Sequence, residues 1–226
     1  MIQKFVTSVP EALDGVQDGS TILVGGFGAV GQANTLIEGL IEQGVRDLTV
    51  VANNAGYGNV GLARLLQEGR VRRLICSFPR IAGSTAFESL YKAGKIELEL
   101  VPQGTLAERL RAAGAGIPAF YTPTAVGTKL AEGKETRSID GRDYVLEHAL
   151  HGDVAFIEAW KSDRWGNLTY RSSGRNFNPV MATAAKMTVV QTQHVVELGE
   201  LDPEAVVTPS IFVDRILHVP YGDPQG

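Results

Sequence analysis

Short apolar runs rich in β-branched residues alternate with amphipathic stretches that stop on glycine, and this alternation limits the folds open to the chain. Thr21-Ile22-Leu23-Val24 reads as a strand. A glycine-rich turn follows, and Asn34 then caps a helix over residues 35–43, with Leu36, Ile37, Leu40 and Ile41 inward and Gly44 as its stop. The rhythm repeats: strands at residues 48–51, 73–77 and 96–101, helices at 62–68, 84–93 and 106–113, with stops at Gly69 and Gly94. Strands separated by helices predict an α/β fold, a mainly parallel sheet with helices on both faces. Ahead of the first strand, residues 6–16 read as a short amphipathic helix with Pro10 in its first turn, and Asp18-Gly19 as a turn.

Past Ile117 the texture loosens around Pro118, Pro123, Gly127 and Gly133. Residues 136–146 resemble a hairpin turning on Asp140-Gly141. Val154-Ala155-Phe156-Ile157 returns to a buried strand, residues 181–185 read as helix, and residues 188–190 and 194–196 as two further pieces of strand. One domain is expected over residues 1–218, with residues 219–226 as a Pro- and Gly-rich tail or oligomer contact.

An apolar fraction of 44% supports a sizeable core, and a net charge of −4 gives no basic stripe of the kind nucleic-acid binding needs. The one cysteine, Cys76, sits in an apolar strand-like run and reads as a small buried hydrophobe. With no intrachain disulfide possible and no apolar run of about 20 residues, a cytoplasmic location is expected. His148 and His151 have helical metal-pair spacing but lack a Cys or carboxylate partner at suitable spacing, so no metal site is expected.

The turn reads Val24-Gly25-Gly26-Phe27-Gly28-Ala29-Val30-Gly31. It formally matches G-x-G-x-x-G, after a strand and before a helix. A dinucleotide site also needs an acidic residue at the end of the next strand, about 20 residues on. Asn53-Asn54 stand there, and amides suit carbonyl or carboxylate oxygens at least as well as ribose hydroxyls. The glycines could equally serve tight helix–strand packing alone.

Five segments, in order, resemble the motifs of family I CoA-transferases, the 3-oxoacid CoA-transferases, in their A (alpha) chain. They are the run from Asp18 through Gly31, Asn53-Asn54-Ala55-Gly56, Val101-Pro102-Gln103-Gly104-Thr105-Leu106-Ala107-Glu108-Arg109, Gly133-Lys134-Glu135-Thr136, and Gly166-Asn167-Leu168-Thr169-Tyr170-Arg171 followed by Arg175-Asn176-Phe177-Asn178-Pro179. One departure is Ala33, near the place where the family's pattern usually has Pro. The resemblance implies the NagB/RpiA/CoA-transferase-like fold. It implies CoA as a substrate thioester rather than a resident cofactor, and a partner B subunit in a heterodimer or heterotetramer. Segments 163–170 and 197–203 are most similar to the branch that moves CoA from succinyl-CoA to 3-oxoadipate. Acetoacetate as acceptor, a nucleotide-binding oxidoreductase and a non-enzymatic acyl-CoA-binding module stay open.

Family chemistry runs through a glutamyl-CoA thioester, and the glutamate lies in a Ser-Glu-Asn-Gly motif of the other subunit. No such motif occurs here; Glu38, Glu68 and Glu132 precede glycines but lack any activating context. The resemblance therefore assigns this chain no nucleophile. It places Val24 to Gly31 near the CoA path, and Asn53, Asn54 and Gln103 on the substrate's carboxylate, thioester or acyl group.

Overall fold

The computed structural model describes residues 2–80 and 84–220. In chain order it builds β1 (Phe5–Val6), α1 (Val9–Ala12), β2 (Thr21–Val24), α2 (Asn34–Gln43), β3 (Leu48–Asn54), α3 (Gly61–Gln67), β4 (Val71–Phe78), α4 (Ala86–Lys92), β5 (Glu97–Leu100) and α5 (Gln103–Gly114). There follow β6 (Ala119–Thr122), β7 (Thr136–Ile139), β8 (Arg142–His148), β9 (Gly152–Ser162), β10 (Leu168–Thr169), α6 (Asn178–Ala182), β11 (Ala185–Val195) and β12 (Arg215–His218). The main sheet runs β1-β12-β11-β9-β2-β3-β4-β5 with every neighbouring pair parallel, and β10 pairs antiparallel with β9.

Alternation along the strands builds two cores. Ile22, Val24, Val50, Leu74, Cys76 and Phe156 meet the apolar stripes of α1 to α4, among them Leu36, Leu40, Leu62 and Phe87. Leu23, Val51, Ile75, Ile157 and Val190 point the other way, onto Leu106 and Leu110 of α5 and Met181 of α6. Both faces are apolar because both are covered, which is the expected mainly parallel sheet with helices on both sides. Each such side chain contributes about 1.5–3 kcal/mol on burial. Cys76 lies within the first core, fully buried, and burial pushes its thiol up to about 12.

Some local readings change. Residues 6–16 are not one helix: Phe5 and Val6 form an edge strand on β12, and α1 starts at Val9, capped by Ser8. Asn34 does not cap α2. It is the first helical residue, and Gln191 of β11 accepts from the Thr35 N–H instead (3.0 Å). β11 is one continuous strand rather than two pieces, and α6 begins at Asn178, earlier than residue 181. The 136–146 hairpin forms as β7 and β8, with positive φ at both Asp140 and Gly141, and β6 joins them in a second, antiparallel sheet of order β6-β8-β7. His148 consequently lies on a strand, not on a helix with His151. Of the expected tail, the Val219 N–H donates to Thr192 O (2.9 Å), and residues 221–226 lie outside the described residues.

Candidate active site

From β2 the chain steps outward through β3, β4 and β5, while β9, β11 and β12 add on the other side of β2. The direction switches between β2 and β9. Open parallel sheets bind ligands outside the carboxyl ends of their strands at such a switch. The turn from Val24 to Gly31 leaves β2 at that point, and the Gly25 N–H crosses it to Phe156 O of β9 (3.0 Å).

Phe27 and Val30 exchange both backbone hydrogen bonds (2.9 and 3.1 Å), so Gly28 and Ala29 form a two-residue turn. Gly28 has φ +63° and open space above it, so it serves the backbone conformation and not a close contact. Phe27 and Val30 expose their side chains at the tip, while Val24 is buried.

The distant segment Arg175-Asn176-Phe177-Asn178-Pro179 braces this turn. Asn176 Oδ1 accepts from the Gly26 N–H (2.9 Å), and its Nδ2 donates to Val30 O (3.1 Å). Asn178, fully buried, donates Nδ2 to Gly31 O and Gly174 O (2.9 Å each) and accepts from the Glu158 N–H (3.0 Å). A Cβ on Gly25 would lie 1.9 Å from Asn178 Oδ1, and one on Gly31 2.6 Å from Asn176 Nδ2. These two glycines let the amides reach the backbone. From the other side, Gln32 and Asn54 both donate to Gly28 O (3.2 and 3.3 Å).

An amide cluster sits at the carboxyl ends of β3 and β4. Asn53 Oδ1 accepts from the Ser77 hydroxyl (2.7 Å) and from Gln103 Nε2 (2.6 Å) in the first turn of α5. With Oδ1 so occupied, the Asn53 amide is fixed in orientation, and its Nδ2 makes no hydrogen bond among the described residues. Such an N–H pair can donate to a carbonyl or oxyanion on a ligand. Asn54 is engaged internally at both ends, donating to Gly28 O and accepting from the Gly56 N–H (2.8 Å). Thus Asn53 and Gln103 come together directly, and Asn54 joins them to the glycine turn.

The glutamates that precede a glycine are engaged elsewhere or exposed. Glu38 is held by Arg64 and the Gly61 N–H, Glu68 caps α3, and Glu132 lies exposed in a loop. Glu158, within β9 just beyond the level where β2 ends, accepts from Gln193 Nε2. Among the described residues no group of His, Cys, Asp and Glu side chains could hold a metal ion, and no helix is long and apolar enough to cross a membrane. Sequence reasoning gives no role to Ser77, Asn176 or Asn178. The last two lie inside one of the five motifs, but nothing local points from them to a turn some 150 residues earlier.

Residues 6–218 match the family model for coenzyme A transferase. The chain is 61% identical over 219 residues to the A subunit of 3-oxoadipate CoA-transferase from Pseudomonas putida, covering 97% of this chain and 95% of that protein. It is 47% identical to the A subunit of succinyl-CoA:3-ketoacid coenzyme A transferase from Helicobacter pylori, covering 95% and 92%. Among solved structures, an acyl-CoA transferase from E. coli O157:H7, a thioester complex with CoA, aligns with a TM-score of 0.82 at 25% identity. The alignment covers 97% of this chain and 49% of that one, so the chain spans about half of that protein. Glutaconate coenzyme A-transferase from Acidaminococcus fermentans shares the fold, with a TM-score of 0.84 at 23% identity over 96% of this chain and 76% of that one.

Proposed function

The chain belongs to the coenzyme A transferase family, and we propose that it is one half, the A chain, of a two-chain enzyme moving CoA from succinyl-CoA to 3-oxoadipate. The observation that carries the reading is an oriented amide cluster at the carboxyl ends of β3 and β4, linked through Asn54 to the glycine turn at the switch point. The Pseudomonas putida relative, named for 3-oxoadipate, supports the choice of acceptor.

In this reading the B subunit brings a glutamate carboxylate, which attacks the thioester carbonyl of succinyl-CoA and expels the CoA thiolate, leaving a mixed anhydride. The thiolate attacks the glutamyl carbonyl and releases succinate, giving the enzyme thioester. The 3-oxoadipate carboxylate then attacks that thioester and expels the thiolate, forming a second anhydride. Attack of the thiolate on its acyl carbonyl releases 3-oxoadipyl-CoA and restores the glutamate. Every step passes through a tetrahedral oxyanion. Asn53 Nδ2, held by Ser77 and Gln103, supplies a preorganised donor to that charge. The glycine turn, with its exposed Phe27 and Val30, walls the crevice on the β9 side.

The test is reconstitution. The chain alone is expected to be inactive; co-expressed with a B subunit, it is expected to transfer CoA to 3-oxoadipate in preference to acetoacetate. Asn53→Ala in that complex is expected to lower kcat by about 100-fold, the scale of one oxyanion donor. Full turnover by the isolated chain would overturn the two-chain reading, and activity on acetoacetate alone would move the acceptor.

A further inference from the structure

The segment that braces the glycine turn also carries two arginines, Arg171 and Arg175, and bracing needs neither charge. Arg175 stands between two residues that touch the turn or its brace. Gly174 O accepts from Asn178 Nδ2 (2.9 Å), and Asn176 holds the Gly26 N–H and Val30 O. Ser172, just before them, has φ +46°, a left-handed conformation that a residue other than glycine keeps only where its surroundings impose it. The backbone that carries Arg175 is therefore fixed against the turn. Its side chain is exposed, and among the described residues the guanidinium makes no ion pair and no hydrogen bond.

The fold gives that guanidinium a side. Tyr170 packs against the second core, under α5 and α6. Burial pushes its phenol up, and the nearby Arg175 charge acts against that push. Asn53 alternates with Val51 onto the same side of the sheet, where Gln103 of α5 meets it. Arg175 and the amide cluster thus share one face of the carboxyl-end rim, with the glycine turn between them. Asn176 ties the arginine's segment to Gly26, and Asn54 ties the cluster to Gly28 O. Arg171 faces the other way. It lies over the Trp160 ring (4.6 Å), and Trp160 alternates with Phe156 onto the first-core side.

A guanidinium is a planar, permanently charged fork of donors that matches a carboxylate. Succinyl-CoA keeps one free carboxylate while its other end is a thioester. 3-Oxoadipate likewise carries a second carboxylate that takes no part in CoA transfer. We infer that Arg175 receives this remote carboxylate while the reacting carbonyl lies against Asn53 Nδ2, and so selects dicarboxylic substrates over monocarboxylic ones of the same length. Arg175 acts on specificity and has no part in the bond changes. The assignment rests on the proposed transferase reading, and its succinyl arm holds whichever acid is the acceptor.

The test uses the complex with the B subunit and two matched substrate pairs: succinyl-CoA against butyryl-CoA as donor, and 3-oxoadipate against 3-oxohexanoate as acceptor. Each pair differs only in the remote carboxylate. Arg175→Gln is expected to lower kcat/KM for succinyl-CoA and 3-oxoadipate by about 10- to 100-fold, mostly through KM, and to leave the uncharged members within about twofold. Arg175→Lys, which keeps the charge and loses the fork, is expected to fall between. With no partner for the side chain in the fold, the thermal midpoint of the Gln variant is expected to match wild type; should it drop, the Lys variant carries the comparison. Arg171→Gln is expected to leave the preference within both pairs unchanged. Equal loss on charged and uncharged members, or no change in any constant, overturns the assignment. So does a fall for both CoA esters with neither acid affected, which gives the guanidinium to a CoA phosphate, and so does selective loss in Arg171→Gln alone. A wild-type complex that transfers CoA among none of these substrates refutes the transferase reading instead. In that case calorimetric binding of succinate against butyrate, by wild type and by Arg175→Gln, still decides the subsite.

Discussion

Asn178 offers the sharpest test of how the glycine turn is held. Removing its amide in Asn178→Ala deletes three short hydrogen bonds of 2.9, 2.9 and 3.0 Å, to Gly31 O, Gly174 O and the Glu158 N–H, and a long one of 3.4 Å to Asn176 Oδ1. At a net contribution of about 1 kcal/mol for each short bond, the loss is about 3 kcal/mol. For a chain of this size that lowers the thermal midpoint by about 6–12 °C. Asn178→Asp keeps the shape and the acceptor toward Glu158 N–H but puts an oxygen where Nδ2 faces two carbonyl oxygens. The ionised form is repelled, so the folded-state pKa of the new carboxyl group rises. A raised carboxyl pKa gives stability that is present below the ordinary carboxylate range and is lost as pH rises through the folded value. The Asp variant should therefore approach wild type in acid and fall away at neutral pH, while the Ala variant stays destabilised at both. Urea unfolding at the two pH values, compared at unchanged m, reads this directly. Loss below about 1 kcal/mol in both variants at neutral pH would refute the brace. An Asp deficit independent of pH would refute the assigned orientation of the amide.

Two further outcomes follow from burial and charge. Cys76, its thiol pushed up to about 12 by burial, should resist an alkylating reagent at mildly alkaline pH in the native protein and react once urea unfolds it; rapid native labelling would contradict its place under α2 to α4. Burial pushes the Glu99 carboxyl up, but Arg109 (2.7 Å) and Arg73 outweigh it and hold it below the usual carboxylate range. A depressed carboxylate gives stability that is present above its unfolded pKa and lost as pH falls through the folded value. Glu99→Gln should accordingly be less stable than wild type at neutral pH, with the gap closing on acidification; a gap that widens in acid would contradict the sign.

The central elements were legible because their physics is local. Thr21–Val24 as a strand, α2 with its inward stripe and the stop at Gly44 all follow from periodicity and backbone preference. β11 was not, because Gln191, Thr192 and Gln193 interrupt its apolar run. These polar residues remain in the strand because Gln191 meets the start of α2 and Gln193 meets Glu158. The same distant glutamine took the capping role that local reasoning gave to Asn34. β1, β10 and β12 span only two to four residues each, too few for an alternation to show. At the site, the glycine turn, Asn53 and Gln103 were visible as motifs, and their meeting followed from the fold. Ser77 and the Asn176–Asn178 brace carried no local signal, since a hydrogen bond across the sheet leaves no periodicity in the chain.

The pairing of β1 with β12 has a consequence for how the protein is made. β2, β3, β4 and β5 can pair among themselves once the chain has been synthesised as far as Leu100. β1 has no neighbour in the sheet until Arg215–His218 exists, and β2 lacks its second neighbour until β9 is made. On the ribosome β1, translated before β2 to β5, thus docks after them, and an edge of β2 waits uncovered through the synthesis of more than a hundred residues. Long waits with open strand edges invite mispairing. Chaperone occupancy during translation should consequently fall not when the first four core strands are complete but when β9 emerges to seal the half-sheet.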